Sequence, residues 1–220
     1  MSKTLIGSTG FVGKLLTKQT KFDNFFNSKN IDYIKNFDHK TIVCSGSPGI
    51  KWLANKYPKN DLENINKLIN NLKQVNCQKL ILISTVDVFK NPYLVNEDSK
   101  PKVKNLHPYG RNRLNLEEFV ASNFNDYLIV RLSGLVGEGL KKNVIYDFLY
   151  NNDLDKIDSR NYFQFYPMVN LWNDIEISLK NNLRLIHLTS EPINVRELAK
   201  YCFNIEFKNR LNQPIINYDF

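Results

Sequence analysis

What most constrains this chain is the order of elements in its first 20 residues: a short apolar run TLI (4–6), a turn GSTGFVG (7–13), and a helical run FVGKLLTKQT (11–20). Glycines in such a turn permit a tight reversal, close approach of a pyrophosphate to the backbone, and close packing of helix on strand. The helix N-terminus adds free N–H groups and the positive end of its dipole. Glycine triplets also occur in ordinary loops, so it is the strand before and the helix after that carry the reading. A bound dinucleotide would then rest on Gly7, Thr9, Gly10, Phe11, Val12 and Gly13.

The rest of the chain repeats the alternation. Apolar runs at 23–27, 40–45, 79–84, 126–132 and 185–189 read as strands, and LENINKLINNLKQV (62–75) has its apolar residues at helical spacing, with Asp61 as a candidate cap. The strands are continuous apolar runs, as expected where both faces of a parallel sheet are covered. Strand–helix alternation predicts an α/β fold, a Rossmann-type doubly wound parallel sheet. Beyond residue 133 the pattern loosens: helices are expected near 143–150, 171–181 and 194–203, with an extended stretch near 163–169. The reading is one domain over 1–220, in which roughly 143–182 adds a small, abbreviated substrate-covering layer. Tyr162, Phe163, Phe165, Tyr166 and Trp172 there could stack on a base or sugar, or pack that layer.

Composition narrows the class. With 42% hydrophobic and 24% charged residues the chain can bury a core and is no disordered tail. No apolar run approaches the roughly 20 residues that cross a bilayer, and the start lacks a signal-peptide pattern, so no membrane is expected and the cytoplasm is the expected compartment. The net charge of +8 is dispersed along the chain rather than gathered on one element, which predicts a solvated surface and no nucleic acid. Cys44, Cys77 and Cys202 are widely separated and odd in number, predicting free buried thiols; His39, His107 and His187 are equally scattered, so no metal is expected.

A second motif lies at 107–113, HPYGRNR, ahead of a helical run. Tyr109 and Arg113 stand four apart, on one helix face, and a cation beside a phenol lowers the phenol's pKa. Upstream, ISTVDVF (83–89) leaves a strand with Ser84 and Thr85 where strand meets loop, the end of an open parallel sheet at which ligands bind. Together GSTGFVG, ISTVDVF, the tyrosine pair and VRLSGLVGEGLKKN (130–143) resemble the extended short-chain dehydrogenase/reductase family, in its nucleotide-sugar epimerase, dehydratase and reductase branch, over residues 1 to about 205.

That resemblance implies a catalytic set. Tyr109 would be the acid/base, and Arg113, standing for the family's lysine, would tune the phenol and hold the nicotinamide ribose. Thr85 would bind the substrate oxygen, and Asp87 stands where dehydratase-type members place a carboxylate. Ser45 would join the cofactor residues; Lys142, Asn143 and Arg160 would meet substrate. At the end of the second strand Ser28, Lys29 and Asn30 replace the acidic residue that usually holds the adenosine ribose, which favours NADP over NAD. The expected function is hydride transfer on a nucleotide-linked sugar, with a homodimer as the assembly such enzymes permit. The competing expectations are a dinucleotide-binding sensor or partner subunit without redox turnover, and a basic nucleic-acid binder on the same fold.

Overall fold

The structure, a computed structural model, describes residues 2–220. Strand β1 (Ser2–Ile6) runs through the glycine turn into helix α1 (Phe11–Gln19), followed by β2 (Asn24–Phe26) and β3 (His39–Cys44). Then come α2 (Lys51–Lys56), α3 (Pro58–Leu72), β4 (Cys77–Thr85), α4 (Pro108–Asn123) and β5 (Tyr127–Leu132). The second half holds β6 (Gly134–Val136), α5 (Val144–Tyr150), β7 (Tyr162–Phe163) and β8 (Phe165–Pro167). It closes with α6 (Leu171–Lys180), β9 (Leu185–Leu188), β10 (Ile193–Asn194) and α7 (Val195–Phe203).

Six strands form one sheet in the order β2-β1-β3-β4-β5-β9, and every neighbouring pair is parallel. The continuous apolar strands divide their side chains between the two faces. Leu5, Val43, Ile81, Ile83, Leu128 and Val130 pack with Leu15 and Leu16 of α1 and Leu171 and Ile175 of α6. Their neighbours Ile6, Ile42, Leu80, Leu82 and Ile129 pack with Ile65, Leu68 and Leu72 of α3 and Leu116 and Val120 of α4. Most of these side chains are almost fully buried, each stabilising by roughly 1.5–3 kcal/mol relative to exposure. The doubly wound Rossmann-type fold is therefore present, with the chain reversing direction across the sheet between β1 and β3.

Helix α3 begins four residues before the expected start, at Pro58, where a missing N–H costs nothing. Asp61 accordingly does not cap it: it lies inside the first turn, buried, with its carboxylate turned to α4. The expected covering layer is divided. Helix α6 returns to the main sheet, whereas α5 joins α7 in a small separate core of Val144, Phe148, Val195, Leu198, Ala199 and Phe207. Phe148 stacks on Phe203 with ring centroids 5.2 Å apart. Of the five aromatic residues there, Tyr166 is buried in the main core and Trp172 packs against Phe22, while Phe163 and Phe165 line the small core. The cysteines are free; Cys44 is buried as expected, but Cys77 is only half-buried and Cys202 is exposed.

Residues 216–220 form an irregular strap back across the carboxyl side of the sheet. Ile216 O accepts from Tyr162 N (2.9 Å), Tyr218 N donates to Tyr162 O (3.1 Å), and Asp219 N donates to Pro92 O (2.7 Å). Phe220 N donates to Gln164 Oε1 at 3.0 Å.

Candidate active site

The glycine turn is built from main chain. A Cβ on Gly13 would lie 2.1 Å from Gly7 O, so only glycine lets α1 sit this close to β1. Gly7 N donates to Phe26 O at 2.7 Å, tying the turn to the end of β2. No side chain caps α1 at Gly10, which leaves the first amides of the helix to an outside acceptor. Among the buried side-chain atoms without a partner are the hydroxyls of Ser47, after β3, and Ser133, after β5. Uncapped amides and orphan hydroxyls at the carboxyl ends of β1, β3 and β5 are the donor set that a phosphate-and-ribose ligand satisfies. The residues present fit a nicotinamide dinucleotide.

The tyrosine corner is built from side chains. Pro108 opens α4, and His107 caps it by accepting from Gly110 N at 2.9 Å. Gly110 allows the close approach that follows, since a Cβ there would stand 2.1 Å from Asp87 O. The first turn of α4 thus presses on the short turn Val86–Val88 leaving β4, and brings Tyr109 within electrostatic reach of Thr85 and Asp87. Asn55 Oδ1 of α2 accepts from Tyr109 N at 3.0 Å, fixing the start of the helix. The Thr85 hydroxyl accepts from Asp87 N at 3.2 Å and is close enough to the Tyr109 phenol to favour its ionised form.

Arg113 is engaged by the protein itself. Its side chain is 2% exposed and forks onto Asp61, Nη1 to Oδ2 at 2.5 Å and Nη2 to Oδ1 at 2.8 Å. It also donates to Tyr109 O at 3.1 Å and to Pro48 O. The guanidinium lies over the Tyr109 ring, 3.9 Å from its centroid. A buried guanidinium needs a counter-charge, and Asp61 supplies it. The phenol responds to the whole setting. Burial pushes Tyr109 above its ordinary value, opposed by Arg113 and by the Thr85 hydroxyl and reinforced by Asp87 and Asp61. The expected net lowering by the cation is overturned, because desolvation of the phenolate outweighs a cation already paired. At neutral pH Tyr109 is therefore a neutral phenol.

Asp87 lies between two donors. Lys51 Nζ of α2 stands 2.6 Å and the Tyr218 hydroxyl 2.9 Å from the same oxygen, Oδ1. Lys51 also reaches Tyr218 Oη at 3.3 Å. Lys142 extends to Gly49 O, latching the 137–143 loop to the loop after β3, and its surroundings lower its pKa, through desolvation first.

The remaining candidate residues divide. Thr9 and Gly10 are exposed at the turn, with Phe11 and Val12 half-buried beside them. Ser45 is turned inward, its hydroxyl donating to Ile6 O at 2.9 Å. At the β2 corner Asn30 is held within the turn, accepting from Asn27 N at 2.7 Å and donating to Phe25 O at 3.1 Å, while Ser28 and Lys29 are exposed. Asn143 caps α5, accepting from Ile145 N and Tyr146 N and donating to Leu135 O at 2.8 Å. Arg160 is occupied by Asp158, at 2.6 Å, and by Leu211 O. Asn143 and Arg160 are thus engaged by the protein itself, contrary to their expected readiness for substrate. Ser47, Lys51, Ser133 and Tyr218 carry no sequence expectation and Asp61 only that of a helix cap; for Ser47 and Ser133 the signal is a small polar residue just past a strand's carboxyl end.

No family model matches the sequence, and no curated protein is similar to it at a significant level. Solved structures are similar in fold. A dTDP-4-dehydrorhamnose reductase from Bacillus anthracis in complex with NADP superposes with TM-score 0.75 at 19% identity, over 100% of this chain and 85% of that one. The dTDP-4-dehydrorhamnose reductase from Clostridium acetobutylicum gives 0.73 at 16% identity, over 99% of this chain and 83% of that one. The UDP-glucose 4-epimerase from Thermotoga maritima, solved with UDP-glucose, gives 0.74 at 12% identity, over 99% and 89%. Among the described residues no helix is long and apolar enough to cross a membrane, and no cluster of side chains could hold a metal. The chain thus shares its Rossmann-type α/β fold with these dTDP-4-dehydrorhamnose reductases and this UDP-glucose 4-epimerase.

Proposed function

We propose that the protein is an NAD(P)-dependent oxidoreductase acting on a nucleotide-linked sugar, as ketone reductase or epimerase. The observation that carries the reading is the convergence of Tyr109, Thr85 and Asp87 at the carboxyl end of β4, in the same sheet whose β1 end carries the uncapped glycine turn. A pure dinucleotide binder needs the second feature and not the first. The structural neighbours named for nucleotide-sugar reduction and epimerisation support the same class.

The first amides of α1 would hold the pyrophosphate, and the Ser47 and Ser133 hydroxyls would pair with the rest of the dinucleotide. Ser28 and Lys29, exposed at the β2 corner with no carboxylate of their own, favour NADP. The cofactor supplies the hydride acceptor or donor when bound. Thr85 would hold the sugar oxygen by its hydroxyl, and Tyr109 would give that oxygen its proton as it becomes an alcohol. Arg113, fixed by Asp61 over the ring, would steady the phenolate left behind. The raised phenol favours the reducing direction, in which a protonated tyrosine is the starting state.

The engagement of Arg113 with Asp61 supports a second reading, a dinucleotide-binding protein without turnover. One assay set separates them: NADPH or NADH oxidation followed by absorbance across nucleotide-linked keto-sugars, epimer formation from nucleotide-linked sugars followed by chromatography, and cofactor binding measured in parallel. Turnover establishes the oxidoreductase. Binding without turnover on every sugar establishes the second reading.

A further inference from the structure

The strap 216–220 brings a phenol into the tyrosine corner from more than 90 residues further along the chain than α4. It does not need that phenol for anchorage. Its backbone is already held by Tyr162, Pro92 and Gln164, and Asp219 O accepts from Val95 N at 3.3 Å. The Tyr218 ring packs on Phe163 with centroids 5.7 Å apart. Yet the hydroxyl is placed against Asp87 Oδ1 beside Lys51, so that both donors converge on one carboxylate oxygen. The other oxygen, Oδ2, accepts no hydrogen bond from either of them. A carboxylate clamped on one side by a phenol and an ammonium has a fixed plane and presents its second oxygen as an oriented acceptor. Within a site that takes a sugar, the ligand group that fits such an acceptor is a hydroxyl.

We propose that Tyr218 is a positioning residue of the active site: with Lys51 it orients Asp87 so that Oδ2 receives a hydroxyl of the sugar beside the carbon that exchanges hydride. This deepens the function proposed above and rests on it. The ligand class is specified further, as a sugar bearing a free hydroxyl adjacent to its reactive carbonyl or carbinol carbon.

The test uses Tyr218→Phe, which keeps the ring, its packing on Phe163 and every main-chain bond of the strap. Binding of nucleotide-linked sugars to the cofactor-free protein is measured by calorimetry, and KM and kcat are measured on the loaded enzyme. We expect roughly tenfold weaker binding and a tenfold higher KM, with kcat changed less and the melting temperature within a few degrees. Asp87→Asn should weaken binding at least as much, and the double variant no further than Asp87→Asn alone, because the two act as one unit. A substrate lacking the adjacent hydroxyl should bind wild type and Tyr218→Phe equally. If wild type binds and converts a sugar and Tyr218→Phe matches it in affinity and KM, the inference is overturned and the proposed function stands. If the two losses multiply in the double variant, Tyr218 does not act through Asp87. If wild type converts no sugar, the function falls and the inference falls with it.

Discussion

The two halves of the candidate site are made of different material. On the β1 side the groups proposed to meet a ligand are main-chain amides, held by glycines at 7 and 13 and by a hydrogen bond from Gly7 N to Phe26 O. On the β4 side they are side chains whose positions depend on partners far away in sequence: Arg113 on Asp61, Asp87 on Lys51 and Tyr218. A main-chain site is specified by a few local residues and tolerates change around it. A side-chain site inherits the stability of each long-range pair. Substitutions on the β4 side should therefore be severe and selective, and those on the β1 side should be graded.

The largest effect belongs to Tyr109. Removing its hydroxyl in Tyr109→Phe should lower turnover by roughly 10²–10⁴-fold, the usual loss with a general acid, while cofactor affinity measured by titration stays within twofold. Wild-type turnover in that variant would break the contrast at its strongest point. Next comes the ion pair beneath it. Asp61→Ala leaves a 2%-exposed guanidinium without its counter-charge and should cost about 3–5 kcal/mol in urea unfolding. Arg113→Lys should also destabilise, since an ammonium cannot fork onto both carboxylate oxygens and reach Pro48 as well. On the main-chain side, NADPH at a hundred times its Kd should stabilise the fold by about 2.7 kcal/mol. There Lys29→Glu should exchange the preference for NADP for one for NAD, a shift of about tenfold read by titration of both cofactors. Unchanged preference would show that the β2 corner does not meet the adenosine ribose.

The smallest effect sharpens the comparison through pH. His187 lies at the edge of the side-chain half; burial first, with Arg131, lowers its pKa from 6.5 to about 4, against the pull of Glu97. The unfolded chain therefore binds this proton before the folded one does. Stability is at its full value above pH 6.5 and is lost as pH falls towards 4. Thermal midpoints across that window should decline, and His187→Gln should flatten part of the decline. A midpoint independent of pH over that range would mean that the imidazole is not held neutral.

What was legible in the sequence follows the same division. GSTGFVG could be read because turn, strand and helix are contiguous and glycine has few other reasons to recur there. The six-strand sheet was legible because apolar runs covered on both faces look alike whatever packs on them. Tyr109, Thr85 and Asp87 were reachable only through the resemblance of their motifs to a family; that they lie close together is what the fold adds. Asp61 was assigned to a cap because an acid before an apolar helical run is usually one; nothing local says that it faces an arginine 52 residues away. Lys51 and Tyr218 carry no local pattern, and only the sheet order and the strap bring them to Asp87. The net effect on the Tyr109 phenol was misread because a charge pair is visible in a sequence and depth of burial is not.

The strap has a consequence in time. Residues 216–220 are synthesised long after β1, α1, β3 and β4, so on a growing chain the glycine turn can take its shape while Asp87 still lacks one of its two donors. Contacts so distant in sequence form late in folding, because their loop closure is the most costly in entropy. The contacts of the glycine turn are local and those of the strap are not, so the turn is expected to take its shape before Tyr218 reaches Asp87.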